Sequence, residues 1–76
     1  MPQKTDWETR TANLLKAELK RKGVTYGQLV QRLADMGVSE KEVNIRNKLA
    51  RGKFTAVFLL QCLAAAGCQT LRISED

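Results

Sequence analysis

Seventy-six residues with a formal net charge of +5, no histidine and two cysteines make one small domain, near the lower limit at which a chain buries a sufficient core of its own. Two thiols alone cannot complete a structural zinc site, and Cys62 and Cys68, six apart in an apolar context with no secretory leader before them, read as reduced thiols of a cytoplasmic protein. No apolar run approaches the roughly 18 residues of a membrane span. With no imidazole base and no phosphate-binding glycine loop, neither an enzyme nor a bound cofactor or metal is expected.

The positive charge is unevenly placed. Acids gather near the ends and at helix starts (Asp6, Glu8, Glu40, Glu42, Glu75, Asp76), whereas bases concentrate in Lys20-Arg21-Lys22 and between Arg46 and Lys53. Such a distribution suits a polyanionic partner.

Residues 1–4 read as a loose arm. From Thr5 onward one start signal recurs: Thr5-x-x-Glu8, Thr25-x-x-Gln28 and Ser39-x-x-Glu42 all have capping-box spacing. In each, a hydroxyl accepts from the backbone N–H three residues on, and the acid or amide there reaches back to the cap. Each cap contributes about 1 kcal/mol, enough to fix a helix start. Thr55 supplies a simple N-cap, and Gly23, Gly37, Gly52 and Gly67 follow the four periodic segments, where a helix exit favours positive φ. The spacing predicts four helices, over about 6–22, 26–36, 40–51 and 56–66, in an all-α domain. The short joining segments make successive helices spatial neighbours.

On the first segment Trp7, Leu14, Leu15 and Leu19 make the apolar side, with Ala12 at its margin, while Arg10, Asn13, Lys16 and Lys20 point away. Glu18 falls towards the apolar side, where an unpaired carboxylate is costly, so a partner is expected. Arg46 lies similarly on the third segment, with Glu42 as a competing partner four residues away. An Arg46 ion pair therefore reads as structural. On the second segment Leu29, Val30, Leu33 and Met36 face inward. Gly27 in its first turn reads as an ordinary terminal glycine, the other reading being close approach by a backbone or a phosphate.

The third segment carries two faces. At about 100° per residue, Asn44, Asn47, Lys48 and Arg51 share one side, and Ile45 and Leu49 gather opposite with Val38. The polar stripe holds no carboxylate between Asn44 and Arg51. Amides and cations of this kind make bidentate bonds to adenine and guanine edges and charged bonds to phosphate. The bland reading, a solvated basic face, is about equally weighted on this segment alone.

In the fourth segment, AVFLLQCLAAA, only Gln61 interrupts the apolar run. A helix apolar all round must be covered all round, and a domain this small cannot do so alone. Part of this surface is expected to meet a second copy, through Phe58, Leu60, Leu63, Leu71 and Ile73. The other reading is a central helix of a monomer. After Gly67 the chain alternates with period two, which predicts a short β-strand over about 70–73 paired with its counterpart in that copy.

Leu15 to Leu33, Gly37-Val38-Ser39, Leu49-x-Arg51-Gly52-Lys53 and the leucine-rich last segment, with Gly23-Val24-Thr25 as a further detail, resemble the lambda-repressor-like helix-turn-helix class. The whole chain also resembles a small bacterial domain family marked by Trp7-Glu8, Leu14-Leu15-Lys16, Gly23-Val24-Thr25-Tyr26 and Arg51-Gly52-Lys53-Phe54, which implies no function. The first resemblance implies a four-to-five-helix domain with its third helix in the major groove. Asn44, Asn47, Lys48 and Arg51 would face base edges and flanking phosphates; Thr25, Tyr26 and Gln28 would clamp the backbone; Lys53 would touch phosphate. Ala34-Asp35-Met36 lengthens the second helix, and Val30 stands where the class has a small residue; both imply an altered crossing of the second and third helices.

The function expected is that of a dimeric, sequence-specific regulator of transcription, bound to double-stranded DNA, with no small-molecule ligand. The alternative is a protein-interaction module, an antitoxin or adaptor, that uses the apolar helix 56–66. RNA binding is weaker, because no aromatics line a polar face to stack unpaired bases.

Overall fold

Threonine and glycine punctuate the chain. The computed structural model describes residues 6–73, in which α1 (Asp6–Lys22), α2 (Tyr26–Asp35), α3 (Glu42–Arg51) and α4 (Ala56–Ala66) follow one another. The capping box at α2 is complete: the Gln28 N–H donates to Thr25 Oγ1 at 3.1 Å, and the Thr25 N–H donates to Gln28 Oε1 at 2.9 Å. Thr55 caps α4 by accepting from the Phe58 N–H at 3.0 Å. The glycines at 23, 37, 52 and 67 all take positive φ after the helices they follow. The expected cap at Thr5 lies outside the described residues.

The third box does not form. α3 begins at Glu42, two residues later than its sequence suggests, and its N-cap is Lys41, which makes no side-chain capping bond. Both nearby carboxylates are engaged elsewhere. Arg46 holds Glu42 at 3.2 Å and Lys48 holds Glu40 at 2.9 Å. With Glu42 turned along the helix, it is not the arm that reaches back to Ser39, and residues 38–41 stay outside any helix.

α1 and α2 each pack against both α3 and α4. Leu15, Leu29, Leu33, Ile45, Leu49 and Cys62 are fully enclosed where these helices meet. Burial of each large side chain there contributes about 1.5–3 kcal/mol. On α1 the buried arc is centred differently from the sequence reading. Ala12 is inside, whereas Trp7 is 66% exposed and Leu14 is half-buried. With 3.6 residues per turn, Trp7 and Leu14 fall roughly 80–100° from Leu15, at the edge of the buried side. Trp7 instead carries the Arg10 guanidinium 4.5 Å from its ring centre. On α2, Leu29 and Leu33 are buried, Val30 only partly, and Met36 caps the helix exposed.

Glu18 has the partner its position demands, but the partner is not Arg46. It pairs with Arg21 one turn on and accepts from the Cys68 thiol at 3.0 Å. That thiol, chiefly, and Arg21 hold its carboxyl below the usual carboxylate range against the opposing effect of burial.

α4 is covered on one side only. Phe58, Cys62, Leu63 and Ala66 face the core, while Val57, Leu60 and Ala64 line an exposed stripe. The Cys68 N–H closes the helix on the Leu63 carbonyl. The expected strand at 70–73 is absent: no strand occurs among the described residues. Leu71 packs partly against the core and Ile73 is exposed. A strand requires a partner edge for its N–H and C=O groups, and the described residues of a single copy, whose regular elements are all helices, offer none.

Candidate nucleic-acid interface

The face of α3 that turns away from the core is set by Ile45 and Leu49, both at 0% exposure. Those two anchors fix the helix phase, so Asn44, Asn47 and Arg51 stand in solvent together. None of the three makes a side-chain hydrogen bond or ion pair among the described residues. Val43, 51% exposed, and Ala50 lie on the same outward side. Neither is marked as a contact residue by its type, because both are apolar. Their phase was nevertheless legible, since Val43 precedes Asn47 by four residues and Ala50 follows it by three. Small apolar groups beside amides are what a thymine methyl contacts.

Lys48 departs from the stripe. Its ammonium bonds Glu40 and lies 4.4 Å from the centre of the Phe58 ring. That geometry makes Lys48 a clamp between α3, its preceding segment and α4, with its charge already matched. Lys53 extends past the end of α3, largely exposed, with Glu8 at 3.8 Å. Arg51 is thus the cation of the predicted stripe that retains a free head group among the described residues.

The start of α2 comes beside the start of α3. A Cβ on Gly27 would stand 3.1 Å from Glu42 Oε1, so a side chain is what approaches this glycine. Arg46 lies 5.9 Å from the centre of the Tyr26 ring while paired with Glu42. The long connection after α2 therefore carries the first half of α3 back along α2 to its first turn. Thr25 and Gln28 are exposed there, with their oxygens engaged in the capping box; Tyr26 is half-buried.

Of the five residues expected at a dimer contact, Phe58 and Leu63 are each 95% covered by their own protomer, so their side chains belong to the core. Leu71 is partly covered as well. Leu60 and Ile73 present apolar surface, at 64% and 66% exposure, and Val57 at 63% joins Leu60.

Cys62 and Cys68 are not joined in a disulfide. Burial pushes Cys62 up to about 12, which leaves it an unreactive core group. Cys68 is also raised, by burial and by Glu18. Among the described residues no cluster of three or more acids or cysteines is placed to hold a metal ion, and no helix is long and apolar enough to cross a membrane.

A family model described as a domain of unknown function (DUF6471) matches residues 7–71. No curated protein and no solved structure matches the chain.

Proposed function

We propose that this chain, which belongs to the family described as domain of unknown function DUF6471, is a sequence-specific DNA-binding protein, a small regulator of transcription that lays α3 in the major groove. The observation that carries this reading is the outward face of α3. Asn44, Asn47 and Arg51 are presented together, exposed, without an intervening carboxylate. A groove about 12 Å wide admits one helix, and these side chains can bond adenine, guanine and phosphate. The net charge of +5 supplies the long-range attraction. The packing of α2 against α3 supports a variant of the lambda-repressor-like helix-turn-helix arrangement in which a long connection joins the two helices.

The exposed stripe of Val57, Leu60 and Ala64 supports a homodimer that presents two copies of α3 to a palindromic site. Leu60→Glu is expected to remain folded, because Leu60 is 64% exposed, yet to sediment as a monomer at tens of micromolar where the wild type is a dimer. A wild-type monomer at that concentration contradicts the dimer. If the stripe instead binds a different protein, Leu60→Glu abolishes that capture and leaves DNA affinity unchanged.

Asn47 and Lys53 have separate tasks in this account. Asn47→Ala should weaken binding to the preferred duplex by about tenfold or more, the loss of one bidentate base contact, and leave non-specific binding nearly unchanged. Lys53→Ala should weaken all duplexes alike and lower the salt slope by about one unit. Identical behaviour of the two variants in a fluorescence-anisotropy titration overturns the assignment of α3 as the base-reading helix.

A further inference from the structure

Tyr26 belongs to two surfaces. Its ring carries Arg46 of α3, and its side chain also lines a shallow, open groove of about 260 Å³ between α1 and the start of α2. Leu19 and Val24, both buried, give the groove an apolar floor, and Lys16, Lys20 and Thr25 complete its wall. Lys16 and Lys20 are four residues apart, so they project from one side of α1 about 6 Å apart along its axis. Both are exposed, and neither has an ion-pair partner among the described residues. No carboxylate lines the groove. Glu18 lies on the opposite side of α1, held by Arg21 and Cys68.

We propose that this groove seats the sugar–phosphate backbone of the DNA strand that flanks the α3 contact. Lys16 and Lys20 bind successive phosphates, and the apolar floor lies against the sugars. The inference rests on the DNA reading of α3 and extends the contact surface onto α1. An open groove suits a chain that passes through it better than a small molecule that must be enclosed. Lysine acts on phosphate as a point charge, which fits a contact that positions without reading sequence. The attraction comes from the lysine pair rather than from the start of α2, where Thr25 already accepts the Gln28 N–H. Tyr26 lines the groove and also carries Arg46, so it joins the groove to α3.

The test is a salt series on the full chain with a labelled preferred duplex and a labelled random duplex, read by anisotropy. Lys16→Ala/Lys20→Ala should weaken both duplexes alike and lower the slope of log affinity against log salt by about 1.8, two phosphates at about 0.9 each. Lys16→Arg/Lys20→Arg should retain the wild-type slope. Far-UV spectra establish that both variants keep their helices. If the wild type binds DNA and the alanine pair keeps the wild-type slope, the groove is not a backbone seat, and the reading of α3 stands. If the alanine pair loses preference for its site at unchanged slope, the lysines read bases and this inference is wrong. If the wild type binds neither duplex, both readings fall together.

Discussion

At Gly52 the end of α3 is fastened to the start of α1. The residue is buried with φ +69°, and a Cβ there would overlap the Glu8 carbonyl, coming within 2.8 Å of its carbon. Gly23 has nearly the same backbone angle, +68°, but nothing within 4 Å of a would-be Cβ. The pair separates backbone strain from packing. Gly23→Ala should cost about 1 kcal/mol, the left-handed penalty alone. Gly52→Ala should cost about 3 kcal/mol, because overpacking adds to that penalty. Urea melts that give equal losses contradict the close contact at Glu8. The need for a helix exit at both positions is legible in the sequence. The contact is not, because Glu8 lies 44 positions earlier. Lys48 teaches the same limit. Its helical phase agrees with Asn44 and Arg51, but the Glu40 carboxylate and the Phe58 ring draw it aside. Glu18 was readable as a buried acid in need of a partner; that the partner includes Cys68, 50 residues on, was not.

Among the elements, helix starts with the same spacing do not share one outcome in the fold. The box at Thr25 forms, the one at Ser39 does not, and the one at Thr5 lies outside the described residues. Thr25→Ala should therefore cost about 1 kcal/mol, and Ser39→Ala should stay within about 0.5 kcal/mol of wild type. A thermal melt in which Ser39→Ala is the more damaging change overturns the start assigned to α3. Spacing specifies that a cap is possible; competing partners for the acid decide whether it forms. Arg46 wins Glu42 here. The helices themselves were legible from their periodicity, and α1 and α4 have the limits the sequence suggests. The period-two pattern after Gly67 misleads because alternation describes a strand only where an edge is available to pair with it. Leu71 finds the helical core instead.

Across the molecule, two exposed surfaces stand out among the described residues. One is the polar outward side of α3, with the lysine groove beside it. The other is the apolar stripe on α4. The core consumes most of the apolar side chains the sequence marks as inward, so what stays outside is selected by helix phase rather than by composition. The α3 stripe was visible in the sequence as residue types at helical spacing, and three of its four members keep that position. The groove at Lys16 and Lys20 was not visible, because it exists only where the turn after α1 sets Val24, Thr25 and Tyr26 across from them. A basic protein attracts any polyanion, whereas a base-reading α3 selects among sequences. The most direct measurement is a mobility shift against pooled random duplexes at two salt concentrations, followed by sequencing of the bound fraction. A base-reading α3 should give a bound fraction enriched in a common site, with binding that weakens steeply between about 50 and 200 mM salt. Binding without enrichment, or no binding at the lower salt, contradicts it.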